Sequence, residues 1–282
     1  MSKILAVFGA SGNKGSSAIR AVLNDAALSR DFKVRAITRD VNKESVVAWQ
    51  KEGVEAVAYA GPPTIQCRER WLIIAPDFWE TLSAETEITQ GNFVADAYKA
   101  AGVKHPIFSS LINTTDASKG KLPNIAHFDG KAKIEAYSRE IGVPATFTMH
   151  SVFMSGYFNL IRGGDAGSYS LALPIDGEEA QIPLLDKTGY IGKFVRAIMQ
   201  DFPACVGKQV HAAVDYYTPE RLMADFSEVV GSPASFVQVP VETLKGFLPP
   251  LVAQEILENM LLFEEPGYYA GASLKDSQRG LR

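Results

Sequence analysis

The segment "KILAVFGASGNKGSSAIRAVL", residues 3–23, constrains the fold more than any other part of the chain. A short apolar run from Lys3 to Phe8 reads as a buried strand. A loop with glycines at 9, 12 and 15 follows, and then an apolar-periodic stretch, Ser16 to Leu23, that reads as a helix. The spacing is G-x-x-G-x-x-G. In that setting Gly9 and Gly12 let the backbone approach a pyrophosphate, and Gly15 lets helix and strand pack closely. The helix N-terminus turns N–H groups towards the anion. Ser11, Asn13 and Lys14 fill the loop between the glycines and are expected to share in cofactor binding. The alternative is a tight turn with no ligand.

The rest of the first half repeats the same rhythm. Apolar runs at 33–38, 54–58, 71–76, 106–111 and 144–149 read as further buried strands. Between them, residues 83–101 carry Val94, Ala97, Tyr98 and Ala101 on one helical face, and a second helical segment, 127–141, stops at Gly142. Alternating strands and helices specify an α/β fold, a doubly wound parallel sheet with helices on both faces. After about residue 150 the pattern becomes two short strands, "SYSLALP" and "AQIPLLD", a helical 186–201, a strand near 209–214, a helix 219–230 and a Pro-rich helical tail. The expected division is a nucleotide-binding domain over 1–152 and a smaller C-terminal α/β lobe over 153–282. The strand and helix near 186–214 are able to pack back onto the first domain.

At the tip of the second strand the sequence is "AITRD". An NAD site usually carries Asp or Glu there for the ribose 2′-hydroxyl, whereas here Arg39 stands at the tip, Lys43 follows and Asp40 comes one place late. A guanidinium pairs bidentately with a 2′-phosphate, so the expected cofactor is NADP(H). The alternative places Arg39 and Lys43 as solvated charges at a helix start. A net charge of −4 provides no basic face for nucleic acid, so no direct nucleic-acid contact is expected. Cys67 and Cys205 are too few and too far apart for a disulfide framework or a metal site, which suits a reducing compartment. With no charged leader ahead of the first strand and no apolar run of membrane-spanning length, the expectation is a cytoplasmic or nuclear protein away from the membrane.

The stretches "VFGASGNKG", "VRAITRD", "DFWET", "HFDGKAKIEAY" and "EPGYYAGASL" closely resemble the NmrA-like family, atypical members of the short-chain dehydrogenase/reductase superfamily, from residue 3 to about 275. The resemblance implies a Rossmann domain, a smaller C-terminal lobe and a dinucleotide in the cleft between them. It leaves activity open. Some members are redox sensors that bind dinucleotide and then a transcription factor, and others are NADPH-dependent reductases.

Hydride-transferring relatives pair a tyrosine acid with a lysine one helical turn later. The matching stretch "HFDGK" has His127 in the tyrosine's place and retains Lys131. The resemblance implies that Lys131 holds the nicotinamide ribose. In a catalytic reading Lys131 also moves a proton, with His127 or Ser110 as helper, since a desolvated lysine or a histidine titrates near neutral pH. In the other reading Lys131 only binds cofactor and His127 is a polar residue at a helix start. Ser109 and Ser110 end the fifth strand at the carboxyl edge, where ligands sit in such sheets. The loop "PDFWE" resembles the family segment beside the cofactor, so Phe78 or Trp79 either covers the dinucleotide or joins the core. Phe153, Met154, Tyr157 and Phe158 line a substrate pocket or form the seam between lobes. His105, His150 and His211 show no metal-ligand spacing, and no metal is expected.

Residues 58–71 depart from the family pattern. They are short and carry Pro62 and Pro63 where a crossover helix should begin, which puts the adenine wall in doubt; the tail is also expected to lack a final helix. Two functions from different classes follow. The first is an NADP(H)-dependent oxidoreductase passing hydride to a small carbonyl or conjugated double bond of a small-molecule substrate. The second is a non-catalytic NADP(H) redox sensor acting on a regulatory protein partner such as a transcription factor. A disabled copy that folds and binds nothing is a third.

Overall fold

The computed structural model describes residues 3–58, 71–74 (backbone) and 82–281. Cys67, Phe78, Trp79 and the Pro62–Pro63 segment, all named from the sequence, lie outside the described residues.

Seven strands form one parallel sheet: β1 (Lys3–Phe8), β2 (Phe32–Thr38), β3 (Glu55–Ala58), β4 (Trp71–Ile74), β5 (His105–Ser110), β6 (Thr146–His150) and β11 (Gln209–Ala212). Their order is β3-β2-β1-β4-β5-β6-β11. The order reverses between β1 and β4, so the carboxyl ends of these strands open the crevice where such sheets bind ligands. The central strands β5 and β6 are buried along their whole length because helices cover both faces, which is why the sequence shows runs there rather than alternation, whereas the edge strands β3 and β11 are more exposed.

On one face the helix Asn13–Leu23 packs against β1 and against the helix Ile191–Asp201. The two helices meet backbone to backbone: a Cβ on Gly192 would stand 2.2 Å from the Ser17 carbonyl oxygen. On the other face lie the helices Ala84–Ala101 and Ala126–Glu140, seated together where a Cβ on Gly91 would fall 2.4 Å from Ile134 Cδ1. Ser83 caps the first by accepting from the Thr86 N–H, and Gly102 closes it in the left-handed region. The sequence-expected strands and helices of the first half all form within a few residues of their expected ends. The helix expected over 186–201 begins only at Ile191. Asp186 ahead of it accepts from the Thr188 and Gly189 N–H groups and turns the chain.

The remaining strands are short: β7 (Val152–Phe153), β8 (Arg162–Gly163), β9 (Tyr169–Leu173), β10 (Ile182–Leu185), β12 (Asp215–Tyr217) and β13 (Ala234–Gln238). They form two three-stranded sheets, β12-β10-β7 and β13-β9-β8. Leu171, Leu173, Ile182, Met223, Phe263 and Tyr268 pack into a core there that also takes Phe128 and Met149 from the large sheet's side. The helix Pro219–Val230 has Thr218 as N-cap, proline in its first turn and Gly231 as left-handed C-cap, so its sequence sets both of its ends. Among the described residues no helix is long and apolar enough to cross a membrane, and no group of His, Cys, Asp or Glu could hold a metal ion.

Candidate functional site

The glycine loop is built as a backbone cradle. Gly9 sits at φ +64, the left-handed region that favours glycine. The Gly12 N–H closes the turn onto the Gly9 carbonyl at 2.9 Å. A Cβ on Gly15 would lie 2.5 Å from Gly9 O and 2.7 Å from Ala10 Cα, so only glycine lets the helix start so close to the strand. A Cβ on Gly12 would stand 3.3 Å from Gly9 O. The helix has Gly12 as N-cap and no side chain capping it, which leaves the positive end of the helix to a bound anion. The loop is anchored to β2: the Ala10 N–H reaches Ile37 O at 3.3 Å, and Thr38 Oγ1 lies 3.2 Å from Ser11 Oγ. Arg39 and Lys43, both exposed, follow directly on that strand end.

From this loop Lys14 extends across the carboxyl edge of the sheet. Its ammonium donates to Ser109 Oγ at 3.3 Å, and Ser109 Oγ is 3.3 Å from His150 Nδ1 at the end of β6. Burial, reinforced by the Lys14 charge, holds the His150 imidazole well below its usual value and therefore neutral. Tyr268 donates its hydroxyl to the His150 carbonyl at 2.9 Å and Tyr269 to the Met149 carbonyl at 2.9 Å. Burial raises both phenols, which keeps them donors.

Ser110 points the other way. Successive strand residues face opposite sides, and its hydroxyl donates to Glu135 Oε2 at 2.5 Å beneath the helix Ala126–Glu140. Glu135 Oε1 also accepts from Arg139 Nε and Nη2, at 2.9 and 2.8 Å, and from the Gln209 amide at 2.8 Å. The structure therefore brings Ser109, not Ser110, to the glycine loop. His150, set aside in the sequence for lack of metal spacing, joins it because residues 109 and 150 share a sheet face.

Lys131 is buried and its ammonium pairs with Glu87 in the first turn of the helix Ala84–Ala101, with His127 O a further 3.5 Å acceptor. The second Glu87 oxygen, Oε2, is buried without a partner. His127 is tied to the C-terminal helix Pro250–Leu261: its N–H reaches Glu255 Oε1 at 3.0 Å and its ring Nδ1 lies 2.5 Å from the same oxygen. Glu258, one turn on, accepts from Asn124 at 2.7 and 2.5 Å. Glu255 thus caps a helix whose own N-cap residue, Ile125, has no capping side chain, and Glu258 holds the residue before that cap. Sequence reading missed Glu87 and Glu255, whose contacts span 44 and 128 residues. Of the aromatic segment, Tyr157 is buried in the core beneath the two three-stranded sheets with Met154 against it, whereas Phe158 is mostly exposed.

The NmrA-like family model matches residues 1–279. An NmrA-like family domain-containing oxidoreductase, ptmS, of Penicillium ochrochloron is 30% identical over 304 aligned positions, 98% of this chain and 88% of that protein. Among solved structures, NmrA, a negative transcriptional regulator in complex with NADP, superposes with a TM-score of 0.81 at 20% identity, covering 99% of this chain and 91% of that one. The Citrobacter sp. triphenylmethane reductase complexed with NADP(H) gives 0.75 at 21% identity, covering 100% and 95%. These likenesses place the chain in the Rossmann-type dinucleotide-binding fold.

Proposed function

The chain belongs to the NmrA-like family, and from that premise we propose that it binds NADP(H) in the crevice above β1 and β4 and passes hydride to a small carbonyl or conjugated double bond. One observation carries the reading: the cradle at Gly9, Gly12 and Gly15, where a Cβ at 15 would strike backbone and the following helix start has no side-chain cap. Ser11, Asn13 and Lys14 complete the pyrophosphate contact, and Arg39 with Lys43 take the 2′-phosphate. Both structural neighbours described above were solved with NADP(H), which supports that cofactor. The dinucleotide supplies hydride; this chain's residues hold it, exclude water and manage the proton. Lys131 offers its remaining ammonium hydrogen to the ribose while Glu87 fixes its direction. His127 and Ser110, engaged by Glu255 and Glu135, hold structure rather than reacting atoms.

A second reading, a dinucleotide sensor acting on a partner protein, is favoured by the same engagement of His127. It also fits the neighbour described as a negative transcriptional regulator. The two separate on turnover. Purified protein with NADPH and a panel of aldehydes, quinones and enones is expected to oxidise NADPH with at least one member. Tight NADPH binding with no oxidation across the panel favours the sensor.

A further inference from the structure

The tyrosine acid of related reductases has no counterpart at His127, whose ring is held by Glu255, so a reductase reading needs another source for the proton. The carboxyl edge of the sheet holds one. Lys14 has only N–H donors, so Ser109 Oγ accepts from it. Ser109 then has one hydrogen to give, and among the described residues its other partner is His150 Nδ1. If Nδ1 accepts, the neutral imidazole carries its single proton on Nε2. His150 Nε2 is buried and has no partner, and the residue is only 8% exposed. An N–H so placed is a donor awaiting an acceptor, since buried polar groups are otherwise paired.

We propose that His150 Nε2–H is the hydrogen-bond and proton donor to the reacting oxygen of the substrate, with Ser109 and Lys14 as the residues that position and recharge it. This rests on the reductase reading above. With a dihydronicotinamide bound in the crevice, hydride delivered to the carbonyl carbon would move the C=O π pair onto oxygen. A new O–H bond forms there as the Nε2–H bond breaks. Nδ1 takes the Ser109 hydroxyl proton, and Ser109 takes one from the Lys14 ammonium, which is left as the neutral amine. The carbonyl is reduced by two electrons to an alcohol, and no net charge is left on the imidazole. After product leaves, water returns one proton to Nε2 and the chain runs back to Lys14.

The geometry suits a relay. Lys14, half-buried on the glycine loop's own helix, donates to Ser109, while Ser109 and His150 are buried. Neutral imidazole serves as an electrophile where a charged one would be too acidic, and burial with the Lys14 charge keeps this ring neutral. The groups that face His150 among the described residues are Lys14 from the helix Asn13–Leu23, Ser109 from β5 and Tyr268 on its carbonyl; no carboxylate is bonded to the ring.

The test uses the full-length chain with ring-15N-labelled histidine, the His150 signals being identified by their loss in His150→Gln. The expected result near neutral pH is a neutral ring with the proton on Nε2, and loss of that one-sided tautomer in Ser109→Ala. A proton on Nδ1, or a charged ring, overturns the proposal. In parallel, NADPH oxidation is followed with an aldehyde and an ortho-quinone. His150→Gln is expected to lower kcat about 100-fold or more while NADPH affinity holds within a few-fold. Wild-type turnover in His150→Gln overturns the proposal. A wild-type chain that binds no NADPH defeats the underlying function instead, and the tautomer result then stands or falls by itself.

Discussion

The two faces of the large sheet hold a buried lysine, Lys131, and a half-buried one, Lys14, in different ways. On the side of the helices Ala84–Ala101 and Ala126–Glu140, Lys131 meets Glu87, and Ser110 meets Glu135, which also takes Arg139. Each cation there meets a carboxylate. On the side of the glycine loop, Lys14 meets a serine hydroxyl and, through it, a neutral histidine whose Nε2 is unpartnered. The first face ties its helices together and fixes the direction of the Lys131 ammonium. The second places the Lys14 ammonium, Ser109 and His150 together at the carboxyl edge of the sheet beside the glycine loop, where an anionic dinucleotide and a carbonyl substrate would sit. The difference teaches that burial of a lysine is uninformative until its partner is known.

The largest effect should come from breaking the compensated face. Lys131→Met strands a Glu87 carboxylate whose side chain is 1% exposed, and the expected loss is about 3–5 kcal/mol in urea unfolding. Adding Glu87→Leu is expected to recover most of it; no recovery would mean that the pair is not what Lys131 contributes. Next is acid sensitivity. Burial pushes His105 down to about 4, and holds His150 well below its usual 6.5. Both rings stay neutral in the fold while the unfolded chain takes up protons. Their stabilisation is therefore complete above pH 6.5 and is lost as pH falls towards and through the folded values. The slope is up to about 1.4 kcal/mol per pH unit for each ring, and His150→Gln should flatten its share of a denaturation-versus-pH series.

A smaller effect belongs to Arg39. Arg39→Ala is expected to cut the preference for NADPH over NADH about tenfold in titration. The smallest is the stability change in Lys14→Met, expected below about 1 kcal/mol because the half-buried side chain reaches solvent. A loss as large as that of Lys131→Met would erase the distinction between the faces.

Much of this was legible in the sequence, for stated reasons. Apolar runs bounded by glycines placed the strands of the large sheet, and the spacing of Gly9, Gly12 and Gly15 marked the loop because each glycine meets a local backbone constraint. The resemblance around "HFDGKAKIEAY" pointed to Lys131 and His127. What those side chains touch was not legible. Glu87 and Glu255 belong to other helices, and their contacts depend on how helices seat across the fold. Ser109 and Ser110 are adjacent in sequence, and which of them faces the loop depends on strand parity, which an apolar run with both faces buried does not reveal. The same parity brings His150 beside Ser109, and no spacing rule for metals or triads marks such a pair.

The most direct measurement is a calorimetric titration of the intact protein with NADPH and, under identical conditions, with NADH. The cradle at Gly9, Gly12 and Gly15 with Arg39 at the β2 end predicts saturable binding of NADPH, tighter than NADH by about tenfold or more. Equal affinity for the two would contradict the role given to Arg39, and no binding of either would contradict the site itself.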